Sequence, residues 1–202
     1  MLTLYHSPQS RSSRIIRLLM ELGVLDQVDI RVVGIRRHDG SGGADPSNPH
    51  PDGKVPLLVH EGTEIWESNA IILYLTDLFA EKGLGRPVGD PDRGAYLSWL
   101  AWYGNVVEPV LVFTAAGLNH PYLDATFRAA PEVAARLTAQ LEKTPYLLGS
   151  EFSAADLLLV SPYTWMPQAT PDVQVVREWI ERCESRPSAQ RTLEFDRAHM
   201  SG

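Results

Sequence analysis

Gly53-Lys54-Val55-Pro56-Leu57-Leu58-Val59, with Glu67-Ser68-Asn69-Ala70-Ile71 beginning eight residues further on, decides how the rest of the chain is read. Pro56 has no N–H to give to a ladder, so it belongs at a strand's first position or edge. The stretch from Gly53 to Val59 therefore reads as a loop entering a strand. His60-Glu61-Gly62-Thr63 is a turn signal, and Glu64-Ile65-Trp66 is a second short strand. Glu67-Ser68 is a polar turn running straight into an apolar helix, predicted over 68–81. A loop, a hairpin and a helix N-terminus thus bring backbone amides, a carboxylate and a hydroxyl close together. Such a place can hold a small extended ligand.

Toward the N-terminus, Leu2-Thr3-Leu4-Tyr5 alternates as a half-buried strand does. His6-Ser7-Pro8-Gln9 turns the chain, and Ser10-Arg11-Ser12-Ser13 leads into Ile15, Ile16, Leu18, Leu19 and Leu22, spaced to make one apolar helical face. Gly23 stands where a helix C-cap glycine belongs. Val28, Ile30 and Val32 alternate with Asp29 and Arg31 as a second strand. A β-α-β unit of this kind should have parallel strands and a right-handed crossover. From Gly34 to Asp52 the periodicity gives way to Gly, Pro, Ser, Asp and basic residues, read as a mobile surface loop. Gly40-Ser41-Gly42-Gly43 lacks both the lysine of a P-loop and the strand-to-helix context of a dinucleotide motif.

Toward the C-terminus, Lys82 to Pro91 is rich in glycine and proline, and beyond it strand signals stop. The predicted division is a first domain at 1–82, a linker at 83–91 and an all-helical domain at 92–202. A long helix is predicted from Asp92 to near Leu118, kinked or broken at Pro109, which lacks a donor and crowds the preceding turn. Another begins near Pro131 and ends by Lys143. Ser153-Ala154-Ala155-Asp156 before Leu157 is a capping-box pattern. Thr170-Pro171-Asp172 should cap an amphipathic helix with Val175, Val176, Trp179 and Ile180 inward, and Pro187 opens a short last helix.

Composition narrows the function classes. Against 18 Lys and Arg stand 25 Asp and Glu, and a net charge of −7 disfavours nucleic acid and anionic membranes as partners. No apolar run approaches the ~20 residues that span a bilayer. The N-terminus enters a strand without a basic flank or cleavage pattern. Cys183 is the sole cysteine, which excludes an intrachain disulfide framework and fits a reducing, cytoplasmic setting. His6, His38, His50, His60, His120 and His199 show no metal-ligand spacing, so no metal is expected.

Taken together, these residues resemble the cytosolic glutathione transferase superfamily, in its bacterial, serine-type form, over essentially the whole chain. The matching pieces are Leu4-Tyr5-His6-Ser7-Pro8 with Ser10, Asn48-Pro49 with Gly53-Lys54-Val55-Pro56, Glu67-Ser68 with Ala70-Ile71, Ser153–Asp156, and Ser185-Arg186-Pro187. The resemblance implies an α+β thioredoxin-like N-terminal domain, β-α-β-α-β-β-α, followed by an all-α helical bundle, and a homodimer in detoxification. It implies glutathione as co-substrate. Val55-Pro56 matches a cis bond that turns the backbone toward the cysteinyl part of the tripeptide. Glu67 and Ser68 match the pair that holds the γ-glutamyl end, and Lys54 matches a position that reaches the glycyl carboxylate. The chain departs from the family between Gly34 and Asp52, which leaves open whether Arg36, Arg37 or His38 meets the glycyl end.

The family activates the glutathione thiol with a hydroxyl and a helix N-terminus, because a free thiol, with a pKa of ~8.5, is mostly protonated at neutral pH. Ser10 best matches the activating serine; Ser12, Ser13 and Tyr5 are the alternatives. The absence of cysteine from the first domain argues against the classes that use an active-site cysteine. The implied reaction joins the thiolate to a small hydrophobic electrophile held between the domains, with Gln9, Tyr103, Val106 and Phe113 as candidate lining. Two other readings are carried forward. One is a glutathione-dependent disulfide reductase or peroxidase that needs no protein cysteine; the other is a non-catalytic binding or scaffold protein.

Overall fold

The computed structural model describes residues 1–200. The chain forms two compact units, one of Met1–Phe79 together with the C-terminal stretch from Arg186, the other of Ala80–Ser185.

In the first unit, β1 (Leu2–His6), α1 (Ser13–Leu22) and β2 (Val28–Val32) make the predicted crossover, and β1 and β2 are parallel. β3 (Leu57–His60) runs antiparallel to β1, and β4 (Thr63–Trp66) antiparallel to β3, giving the order β2-β1-β3-β4. α1 buries Ile15, Ile16, Leu18 and Leu19 completely. It stops at Gly23, whose φ of 69° is open to glycine, while the next amide, of Val24, reaches back to Leu19 O at 3.0 Å. α2 (Ser68–Leu78) ends a few residues short of the predicted 81 and continues as a 3-10 turn, Ala80–Lys82. Leu4, Leu58 and Ile71 are likewise fully buried. Each such side chain contributes roughly 1.5–3 kcal/mol.

The helix that the resemblance implies between β2 and β3 is absent. Residues 33–56 run instead as turns, as their own composition indicates. Asp45 accepts the Gly34 amide (2.8 Å) and the Ser47 amide (2.9 Å), and Asp39 accepts the Ser41 amide (2.9 Å). These side chains supply the partners that a helix would have supplied from its backbone. At Gly42, with φ 70°, a Cβ would sit 2.1 Å from Ile35 O, so only glycine closes this turn.

α9 (Pro187–His199) packs on α1 within the first unit. This explains two buried arginines on α1 that an amphipathic pattern would leave in water, Arg14 and Arg17. Arg17 Nε donates to Ser188 Oγ at 3.3 Å. Arg186 grips Glu21 with two bonds, at 2.8 and 2.6 Å, and the Ser188 hydroxyl adds another. Burial alone would push the Glu21 carboxyl up; the bonds from Arg186 and Ser188 and the nearby arginine charges outweigh it and hold it below its usual value.

The second unit is helical: α3 (Arg93–Trp102), α4 (Glu108–Ala115), α5 (Pro121–Thr126), α6 (Ala130–Leu141), α7 (Ala154–Trp165) and α8 (Gln174–Glu184). The single long helix predicted from Asp92 is two helices joined by a π-turn, Tyr103–Val107. The Glu108 amide bonds to Tyr103 O across that turn, so Pro109 falls in the first turn of α4, where no donor is needed. α5 has no counterpart in the sequence reading. α8 starts at Gln174 after Val173, slightly later than Thr170–Asp172 indicates, and buries Val176, Trp179 and Cys183. Asp156 is fully buried at the start of α7. It accepts bonds from the Ser153 amide (3.0 Å) and hydroxyl (2.7 Å), the Leu147 amide (2.9 Å) and Trp179 Nε1 (2.9 Å).

Candidate active site

Strand register alone gathers the predicted site residues. Tyr5 lies opposite Leu57, Leu57 opposite Trp66, and His6 opposite Val32. One step beyond these pairs come Ser7, Pro56, Glu67 and Val33. The activator loop, the strand entry and the α2 N-terminus therefore share one end of the sheet, with neighbouring strands about 4.8 Å apart.

At the strand entry, the Val55–Pro56 peptide bond is cis. Val55 is buried with Tyr5, Val33 and Leu57. Lys54 is exposed, and its carbonyl accepts a bond from the buried Asn48 side chain at 3.1 Å, which ties the long connection to this entry. At the N-terminus of α2, Glu67 adopts φ 70°, rare for a residue with a Cβ. Its carbonyl accepts the Ile71 amide at 3.0 Å and so begins the helix. Ser68 is buried beside the first amides of α2, which carry the helix's partial positive charge.

The loop after β1 holds a cluster of hydroxyls. Ser10 Oγ donates to Ser7 O at 2.6 Å, lies 2.8 Å from Ser12 Oγ, and accepts the Ser12 amide at 3.1 Å. Ser12 Oγ is 2.7 Å from His6 Nδ1, 3.1 Å from Ser7 O, and accepts the Ser7 amide at 3.0 Å. Ser13 Oγ donates to Asp196 Oδ2 at 2.6 Å, and the Gln9 amide donates to the same oxygen at 2.7 Å. Ser12 and His6 are wholly inaccessible, whereas Ser10 and Ser13 are half-buried. Burial alone would push Asp196 up, but its contact with His6 and the bonds from Ser13 and Gln9 hold it below its usual value.

Asp196, His6 and Ser12 are arranged like a hydrolase triad, with His6 Nε2 3.2 Å from Asp196 Oδ1. A serine with no exposed surface cannot attack a substrate, so hydrogen-bond donation is the chemistry this loop supports. Tyr5 stands on the opposite face of β1 from His6, since successive strand residues alternate, and it packs against Val33, Val55 and Leu57.

Asp196 lay outside the sequence reading, and Arg37 and His6 make contacts to the loop that it did not give them. Arg37 donates to Pro8 O at 3.0 Å and approaches Gln9 O and Ser7 Oγ at 3.4 Å, while Arg36 and His38 stay exposed. His6 entered the sequence reading within the Leu4–Pro8 match, without a role of its own. Asp196 had one readable signal: Ser188, Thr192 and Asp196 recur every four residues, and all three are buried on α9.

The sequence pattern of the glutathione S-transferase N-terminal domain matches residues 1–77, and that of the C-terminal domain matches residues 110–187. The chain belongs to the glutathione S-transferase superfamily. It is 25% identical to glutathione S-transferase GstB of Escherichia coli over 92% of this chain and 95% of that protein. A glutathione transferase structure from Methylococcus capsulatus, 27% identical, covers 98% of this chain and 100% of its own with a TM-score of 0.75. A sphingomonad glutathione S-transferase complexed with glutathione is 25% identical, covers 98% of this chain and 100% of its own, and has a TM-score of 0.74.

The remaining candidates belong to different units. Gln9 is exposed on the loop of the first. In the second, Tyr103 is buried at the π-turn, Val106 is half-buried beside it, and Phe113 packs edge-on to Phe127 with ring centroids 5.4 Å apart. Burial pushes the neighbouring Tyr163 hydroxyl up, and Tyr103 adds to the shift. Cys183 is buried in α8 as a free thiol. No helix among the described residues is long and apolar enough to cross a membrane, and no cluster of three His, Cys, Asp or Glu side chains is placed to hold a metal ion.

Proposed function

We propose that this glutathione S-transferase family member binds glutathione at the shared end of its sheet and conjugates the thiolate to a small hydrophobic electrophile, by addition or displacement. The observation that carries the reading is the meeting of the cis Val55–Pro56 entry, Glu67-Ser68 and the serine loop at that one end. Glutathione offers complementary groups in the same order. The Val55 backbone pairs with the cysteinyl unit, the Ser68 hydroxyl and α2 amides meet the γ-glutamyl carboxylate, and Glu67 faces the ammonium. Lys54 takes the glycyl carboxylate. Ser10 donates to the sulfur and favours its anionic form. Its partial exposure supports Ser10 over Ser12, which is sealed, and over Ser13, whose proton goes to Asp196.

Glutathione-affinity retention combined with turnover of an aryl halide tests this reading. Glu67→Ala and Ser68→Ala should lose retention, and Ser10→Ala should keep retention and lose most turnover. Retention without turnover of any electrophile would mark a binding protein. Turnover of glutathione disulfides or peroxides alone would mark a reductase or peroxidase. The chain acts in the cytoplasm as a homodimer on this reading. The exposed Trp66, Tyr74 and Leu78 on β4 and α2 favour self-association, which sedimentation would reveal as twice the 22.4 kDa chain mass.

A further inference from the structure

Behind Ser10 the hydrogen bonds do not end in solvent. They run through Ser12 Oγ (2.8 Å) to His6 Nδ1 (2.7 Å), and the other ring nitrogen faces Asp196 Oδ1 at 3.2 Å. His6 Nε2 and Asp196 Oδ1 are both buried, off-line for a regular hydrogen bond, and have no other partner. Each is therefore the other's available partner across a small rotation. An unpaired buried polar atom is costly, so the pairing is worth making.

Proton counting gives this chain a direction. Ser7 O can only accept, so Ser10 points its proton there when no sulfur is present. Ser12 has one proton for two acceptors, Ser10 Oγ at 2.8 Å and Ser7 O at 3.1 Å. The shorter contact takes it, and in either case Ser12 accepts from His6. The Asp196 carboxylate faces the other ring nitrogen, Nε2, at 3.2 Å. With Nδ1 as the donor to Ser12, the contacts at 2.7, 2.8 and 2.6 Å each have one donor and one acceptor, and donation runs from His6 toward Ser10.

We propose that Asp196 and His6 are positioning residues for thiol activation, polarising the Ser10 hydroxyl toward the glutathione sulfur through Ser12. The inference rests on the reading of Ser10 as the activator. The thiol S–H breaks with its electron pair left on sulfur and its proton passed to water. Ser10 keeps its own proton and turns it from Ser7 O to the thiolate. Aligned donors of this kind strengthen one another in a dry site. The Phe195 ring stands edge-on to His6 and stacked on His199, and the Arg37 guanidinium lies over the Ser7–Gln9 backbone.

The test is a titration of glutathione bound to the full chain, followed by its ultraviolet thiolate absorbance, with calorimetry for affinity. Asp196→Asn keeps an acceptor for Ser13 and Gln9 but removes the charge facing His6. It should raise the bound-thiol pKa by about one unit, a tenfold loss of thiolate, with little change in affinity. His6→Asn and Ser12→Ala break the same chain and should do likewise, and either reads the link if Asp196→Asn does not fold. Combined with Ser10→Ala, Asp196→Asn should add no further shift. Glu21→Gln loosens α9 elsewhere, and should lower stability while leaving the bound-thiol pKa in place. If Ser10→Ala raises that pKa but Asp196→Asn and His6→Asn do not, the relay is wrong and the activator stands. If Ser10→Ala leaves it unmoved, the reading of Ser10 falls and takes the relay with it.

Discussion

Glu67 holds a backbone angle, φ 70°, that a side-chain-bearing residue adopts at a cost of order 1–3 kcal/mol. It keeps that angle at the one point where β4 must turn into the N-terminus of α2. Glycine would relax the backbone there without cost. Glu67→Gly should therefore raise unfolding stability by up to ~1 kcal/mol while weakening glutathione retention, a pairing that denaturant titration and affinity chromatography would reveal. A change at Asp156 runs the other way. Asp156→Ala strips the acceptor from four buried donors, so a loss of about 3–5 kcal/mol is expected in the same denaturant titration.

Among the elements, α9 is held through two carboxylates, so its attachment depends on pH. Glu21 near its beginning and Asp196 near its end both have carboxyl pKa values held below the ordinary ones. The stability they contribute is present above the unfolded values, about 4.3 and 3.9, and is lost as pH falls through the lower folded values. Hydrogen-exchange protection across Pro187–His199, corrected for the intrinsic rate, should therefore fall below about pH 4, before protection in the second unit does. In Glu21→Gln, stability at neutral pH should drop by about 1–2 kcal/mol, and the gap from the parent chain should close as the solution is acidified. The short elements were also the ones least legible in the sequence. The π-turn at Tyr103–Val107 resolves Pro109 by a change of hydrogen-bond register, which no side-chain pattern announces. The connection at 33–56 was legible in its composition, and the family helix implied there does not form.

At the scale of the molecule, local pattern carried the sheet, the α1 face, the α7 cap and the placing of Val55-Pro56 and Glu67-Ser68 at one end of the sheet, because each rests on residues close in sequence. The fixation of the serine loop was not legible for the opposite reason: Gln9 and Asp196 are 187 positions apart. Only the return of α9 to the first unit brings them together. A chain ended at Ser185 should thus keep every residue assigned to glutathione and still lose retention on glutathione resin, since α1 and the serine loop would lose their lid. That return also sets a schedule. A ribosome delivers Gln9 187 positions before Asp196, and domains otherwise fold as they emerge. The serine loop thus waits for its Asp196 contacts until α9 has been made, and on the proposed reading glutathione competence waits with it.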